Sequence, residues 1–273
     1  MTDTIYRRPQ DYELEHRGDD DDVAFYGQLV ERFEPRRILE LACGSGRLTA
    51  PIAERRPDAP LEVVGVELSE SMLALAHQRV GEASELVRQR VSLHKGDMRT
   101  WSSDRLFDLV IIGCSSITHL LRLEDRLQVW RNARRLLSPG GRLVIDVTMA
   151  DIRTFSASLE TPPRALLEID ADREDEVTHE RLIRSKTTRY DPNNQLARVT
   201  FLYDKFQADR PVDRYVSDFE SHVYYPAELE LLFLHTGFTI EHVWSDFSFK
   251  APGLRTREVV IVGQVSGALH GDG

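Results

Sequence analysis

The chain has 273 residues, with 35 basic and 45 acidic side chains and a formal net charge of −10. That balance argues against a nucleic-acid partner, because phosphate binding needs a basic surface. No apolar run approaches the ~20 residues that span a bilayer, and the charged segment 1–22 lacks a signal peptide's apolar stretch, so a soluble, cytoplasmic chain with no membrane contact is expected.

In chain order, the four carboxylates Asp19 to Asp22 precede Val23-Ala-Phe-Tyr26 and read as the acidic start of a helix. Residues 38–42 form a short apolar run leading into Cys43-Gly44-Ser45-Gly46, and 48–55 read as a helix. A second strand over 61–66 ends at Glu67, and Ser69 is placed to cap a helix running to Val80. Residues 91–93 form a third strand ending at Gly96-Asp97, and 107–112 a fourth, apolar enough to be buried on both faces. A helix over 122–137 is stopped by Ser138-Pro139-Gly140-Gly141, and 143–147 form a fifth strand. Strands alternating with helices at this spacing imply βαβ units and a parallel sheet.

The alternation then breaks. Residues 181–190 and 196–206 alternate polar and apolar on either side of Asp191-Pro192-Asn193-Asn194, which is a hairpin signature, and 214–224 add a further strand. Pro226 opens a helix to His235 that Gly237 closes, and strands over 239–244 and 258–264 finish the pattern. The expected division is a core of 1–149 and 224–265 that includes an N-terminal helical segment. An antiparallel insertion over 150–223 forms a substrate cover or a dimer interface, and 266–273 are a tail.

Gly44 and Gly46 stand where a strand hands over to a helix, so backbone can approach a ligand closely and helix N–H groups face it. A dinucleotide fingerprint would need a third glycine near Thr49, which weakens a nicotinamide-dependent oxidoreductase reading. Glu67 ends the second strand, where a carboxylate can accept from both ribose hydroxyls. Asp97 supplies a second carboxylate on the same sheet edge, suited to an adenine amino group, and Leu68, Met72 and Met98 could sandwich the ring. Together these describe a nucleoside site. Cys43 and Cys114 lie in apolar surroundings and fit no metal-ligand spacing; they read as reduced thiols acting as small hydrophobes, and no metal is expected.

Glu40-Leu-Ala-Cys-Gly-Ser-Gly46, Val63-Val-Gly-Val-Glu-Leu68, Lys95-Gly-Asp-Met98 and Leu137-Ser-Pro-Gly-Gly141 resemble, in order and spacing, the motifs of class I methyltransferases that use S-adenosylmethionine (SAM). The resemblance spans about 36–150 and resumes over 225–265. It implies a Rossmann-like, seven-stranded, mostly parallel sheet flanked by helices, with an antiparallel β insertion after the fifth strand. It also implies SAM as cofactor. Ala42 and Gly44 would face its methionine part, Glu67 the ribose, and Asp97 with Met98 the adenine. Glu40, Gly46, Leu68, Met72 and Cys114 complete the expected cofactor contacts.

Gly96-Asp-Met-Arg99 followed by Cys114-Ser-Ser-Ile-Thr-His119 is similar to N-methyltransferases acting on amino sugars and other natural-product amines, which also carry an N-terminal Tyr, matched by Tyr12. Thr118 departs from that pattern where a Gly is common. The implied activity is methyl transfer to a small-molecule acceptor, an amine nitrogen ahead of a hydroxyl or carboxylate oxygen. A non-catalytic SAM-binding regulator is the contrasting reading. His119 and Tyr12 are the candidate catalytic residues: His119 either takes a proton from the acceptor or only positions it, and Tyr12 hydrogen-bonds SAM or the acceptor or anchors the N-terminal segment. Tyr26 is a second aromatic candidate for closing the site. A homodimer is a further expectation.

Overall fold

The computed structural model describes residues 8–18, 20–208 and 210–266. Asp19 of the acidic run and residues 267–273 of the tail lie outside the described residues. The chain divides into two compact units. One joins Asp21–Met149 to the described part of Tyr224–Gly273; the other joins the described part of Met1–Asp20 to Ala150–Val223.

The larger unit holds a seven-stranded sheet. The chain's first helix, α1 (Pro9–Glu15), belongs to the other unit, so this one opens with α2 (Asp21–Phe33). Then come β1 (Arg37–Leu41), α3 (Thr49–Ala53), β2 (Glu62–Glu67), α4 (Glu70–Glu82), α5 (Glu85–Arg90) and β3 (Val91–Lys95). β4 (Phe107–Ile112), α6 (Leu123–Leu136) and β5 (Leu137–Thr148) complete the alternating series. Ser69 caps α4 by accepting the Met72 N–H, so the serine before the helix does what its position suggests.

Inside this sheet, β1 to β5 are parallel wherever they pair: Ile38 stands beside Val63 of β2 and Leu109 of β4. Period-two alternation sorts their apolar side chains between two cores. Leu39, Leu41, Val110 and Ile112 pack with Val129 and Trp130 of α6 and Phe233 of α8 (Pro226–His235). Ile38, Val63, Leu109 and Ile111 pack with Phe25 and Leu29 of α2 and Ile52 of α3.

With β6 to β9 in the other unit, the remaining core strands are β10 (Phe238–Ser245) and β11 (Glu258–Val265). β11 runs antiparallel between β5 and β10, giving the order β10-β11-β5-β4-β1-β2-β3. The chain moves outward from β1 through β2 to β3, then returns to β4 on the other side of β1. In open α/β sheets such a reversal marks the carboxyl ends of β1 and β4 as the place where ligands bind.

The smaller unit is an antiparallel sheet in the order β6 (Leu167–Glu174), β7 (Glu180–Asp191), β8 (Leu196–Gln207), β9 (Arg210–His222), together with α1 and α7 (Ile152–Ser158). Asp191 shapes the β7–β8 turn by accepting the N–H groups of Asn193 and Asn194. Leu14 of α1 joins a core with Leu182, Phe201 and Tyr203. Asp11 and Glu15, four apart on α1, pair with Lys205 and Arg184 at 2.8 and 2.7 Å. Burial pushes the Glu15 carboxyl up to about 7, against the pull of Arg184.

The structure departs from the sequence-based expectations in four places. The segment before residue 21 packs with the 150–223 insertion rather than with the core. Asp22 does more than open a helix, since its carboxylate grips the Arg47 guanidinium. Residues 138–141 do not separate α6 from the strand, because β5 runs from Leu137 and its ladder slips register there. Helices α5 and α7 and strand β6 are additional elements.

Candidate active site

Four loops leave the carboxyl ends of β1 to β4, and each carries residues singled out above. After β1 the backbone turns through the left-handed region at Ala42 (φ 60°), Gly44 (φ 56°) and Gly46 (φ 75°). Only glycine adopts that region freely, so the alanine is a strained position of the kind that clusters at ligand sites. A Cβ on Gly44 would come no nearer than 3.6 Å to Met72 Cε, so conformation rather than crowding calls for glycine there.

The Gly44 N–H donates to Glu67 Oε2 at 2.9 Å and the Ser69 N–H to Oε1 at 2.6 Å. The Glu67 carboxylate is thereby held between the loops after β1 and β2, and each oxygen keeps acceptor capacity for a further donor. Leu68 beside it is 60% exposed. The Gly96 N–H donates to the Glu67 carbonyl at 2.9 Å and ties the third loop to the second.

In that third loop, Asp97 accepts from Arg99 Nε at 3.0 Å and from the Arg99 N–H at 2.8 Å. Arg99 holds the Asp97 carboxyl below the usual aspartate range and also donates to Asp125 of α6 at 2.9 Å. Met98 is half-buried, and its carbonyl accepts from Asn132 at 2.9 Å.

The fourth loop passes through two left-handed residues, Cys114 (φ 55°) and Ser115 (φ 54°), into a 3₁₀ turn, Ser116–His119. Their N–H groups donate to Asp146 of β5 at 3.0 and 2.7 Å, and the Tyr26 hydroxyl donates to the same carboxylate at 2.8 Å. Asp146 is fully buried, and desolvation pushes it up to about 6 while those three donors pull it down. The far end of the loop is held by Arg126, which donates to the carbonyls of Leu120 and Leu121 at 3.3 and 3.0 Å.

Glu67 at the end of β2, His119 at the end of the 3₁₀ turn, and Ala42, Gly44, Leu68, Asp97, Met98 and Cys114 on the loops therefore lie at one edge of the sheet. Glu40, Gly46 and Met72 are buried beneath them. Glu40 accepts from the Thr49 hydroxyl and supports the glycine loop from below, and Met72, 1% exposed, offers no face to sandwich a ring. Tyr26 is also fully buried with its hydroxyl committed to Asp146, so it cannot close a site. Cys114 is not in apolar surroundings: Arg47 reaches its Sγ at 3.2 Å. Tyr12 sits on α1 in the other unit, its ring 4.2 Å from that of His16.

Burial pushes the Glu40 carboxyl up to about 8, against the Thr49 hydrogen bond. A carboxyl raised in the folded state gives stability that is full below its unfolded value near 4.5 and is lost as pH rises through about 8. Glu40→Gln should therefore melt roughly 2–4 °C above wild type at pH 9 and show no such gain at pH 4.5, read by calorimetry on the ligand-free protein. An equal offset at both pH values would mean that Glu40 is not protonated in the fold.

Residues 38–141 match the methyltransferase-domain family. A curated Bacillus subtilis protein described as a methyltransferase, YqeM, is 27% identical over 85% of each chain. Two shorter matches cover about two fifths of both partners. The dTDP-4-amino-2,3,4,6-tetradeoxy-D-glucose N,N-dimethyltransferase of Saccharopolyspora spinosa is 33% identical over 41% of each chain. The trans-aconitate 2-methyltransferase of Streptomyces avermitilis is 33% identical over 42% of this chain and 39% of its own. Among solved structures, SAM-bound CalS10, an amino pentose methyltransferase from Micromonospora echinaspora, superposes with a TM-score of 0.72 over 97% of this chain and 98% of its own, at 19% identity.

The chain is an enzyme with a SAM-dependent methyltransferase domain. Its sheet order and its antiparallel β11 fit that family's architecture. The groups on the carboxyl edge are of the kind SAM can use: a backbone turn left-handed at Gly44 and Gly46, a carboxylate fixed beside it and a second carboxylate one strand further out.

Sequence reasoning missed the polar network that links the methyltransferase's loops, namely Asp22, Arg47, Tyr26 and Asp146. One signal was present. Asp146 interrupts Leu143-Val-Ile-Asp-Val147, and a lone carboxylate inside a buried apolar strand must find hydrogen-bond donors.

Proposed function

We propose that this methyltransferase moves the methyl group of SAM to an amine nitrogen of a small molecule, on the carboxyl edge of its seven-stranded sheet. The observation that carries the site assignment is the succession Asp97, Glu67, Gly44 across the neighbouring strands β3, β2 and β1. Strands ~4.8 Å apart space adenine, ribose and methionine in that order. Asp97 then accepts from the adenine amino group, Glu67 from the ribose hydroxyls, and Leu68 and Met98 cover the ring. Backbone at Ala42 and Gly44, with the loop at Cys114, receives the methionine end.

Bound SAM supplies a sulfonium-activated methyl group. What the chain must add is alignment of the acceptor and exclusion of water, together worth up to ~7–11 kcal/mol, with a proton acceptor where the nucleophile needs one. His119, on the loop after β4, is the side chain assigned to the acceptor. The amine reading rests on the amino-sugar relatives; the trans-aconitate relative marks oxygen as the competing acceptor.

The test is a panel of amino-sugar nucleotides, simple hydroxyl compounds and carboxylates incubated with SAM, with product structure read by mass spectrometry. N-methylated products are expected, at a rate that rises with pH as the amine loses its proton. Exclusive transfer to oxygen would overturn the amine assignment. Binding of SAM without any turnover across the panel would favour a regulator.

A further inference from the structure

If adenine and ribose occupy the ends of β3 and β2, the methionine half of SAM must extend over β1 and β4, onto the glycine loop and the loop through Cys114 and Ser115. Neither of those loops is held by its own strand alone. Asp22 and Tyr26 lie four residues apart on α2 and so share one face of the helix. Asp22 holds Arg47 of the glycine loop through paired contacts, one of them 2.9 Å, and Arg47 reaches on to Cys114 Sγ. Tyr26 donates to Asp146, which accepts the Cys114 and Ser115 N–H groups. Two consecutive non-glycine residues in the left-handed region would relax without such donors and acceptors.

We infer that Asp146 and Tyr26, with the Asp22–Arg47 pair, are positioning residues that pre-set the two loops receiving the methionine half of SAM. The inference rests on the site assignment proposed above. It gives α2 a function separate from packing: one helix face sets both loops, so the sulfonium end is met by backbone already in place. The adenosine half is held from β2 and β3, and its tie to the clamp is the Gly44 N–H to Glu67, whereas Asp146 and Tyr26 act on the loop through Cys114 and Ser115.

That division supplies the test. S-adenosylhomocysteine carries both halves and adenosine only one, and each is titrated calorimetrically into the full-length protein. In Asp146→Asn the side chain can accept at only one of the two N–H groups, because its amide end opposes the other; an unsatisfied buried donor should weaken S-adenosylhomocysteine roughly 10-fold or more. Adenosine affinity should stay within about twofold, since Asp146 bonds the Cys114 and Ser115 loop and not the Gly44–Glu67 contact. Tyr26→Phe keeps the packing and removes one donor, and a smaller loss with the same selectivity is expected. It carries the test should the Asn variant not fold. Unchanged S-adenosylhomocysteine binding in Tyr26→Phe and any folded Asp146→Asn, or equal loss of both ligands, overturns the inference. Glu67→Ala separates this from the underlying assignment: if it leaves both ligands at wild-type affinity, the site reading fails, whatever the clamp variants do.

Discussion

His119→Ala is expected to lower turnover by roughly 10²–10⁴-fold, with SAM affinity little changed, if the imidazole assists proton removal. The wild-type rate should then rise through an ionisation that the mutant lacks. If the imidazole only positions the acceptor, the main loss falls on acceptor KM and the pH profile keeps its shape. An amine acceptor also gains rate as it deprotonates, and that rise persists in the mutant. The comparison is therefore made on kcat, where bound groups titrate, as well as on kcat/KM, with the best amine from the acceptor panel. Wild-type kcat and KM in the mutant across the pH range would remove His119 from the site.

Glu67→Ala is expected to weaken SAM by on the order of 2–3 kcal/mol, about 30–150-fold. Two losses combine in that figure. A charge-assisted acceptor disappears from the ribose position, and the Gly44 and Ser69 N–H groups lose the carboxylate that holds them. Glu67→Gln retains an acceptor oxygen and should recover part of the affinity. Circular dichroism matching wild type, together with unchanged SAM affinity in Glu67→Ala, would make the ribose assignment wrong.

The parallel core was legible because strands buried on both faces leave near-continuous apolar runs, and Phe107–Ile112 is bounded as the sequence suggests. The hairpin through Asp191 was legible from turn chemistry. Strand β6 was not, since its apolar positions Leu167 and Ile169 are exposed and bury no stripe that a period could reveal. Helices α5 and α7, of six and seven residues, are too short to show a full amphipathic period. The docking of α1 on the insertion depends on ion pairs such as Glu15 with Arg184, whose partners are distant in sequence and follow no local rule.

Within the site, spacing alone brought out the Gly44 loop and Glu67, and the two prove to be hydrogen-bonded. Position along a motif said nothing about which way a side chain turns. Glu40 belongs to the first motif and Met72 follows the second by four residues, and both point into the protein, where Thr49 and the glycine loop meet them. The Tyr26–Asp146 contact joins α2 to the fifth strand and is invisible until the sheet is assembled.

The placement of β11 bears on the order in which this protein can acquire its structure. Its ladder with β5, from Glu258 opposite Thr148 to Gln264 opposite Arg142, joins segments separated by the whole insertion, α8 and β10. On the ribosome, β5 emerges long before that partner and must wait with one edge bare. If Ala150–Val223 collapses into its own sheet first, the span still to be closed shortens, and with it the entropy lost in bringing β11 home. The insertion would then serve the core's assembly.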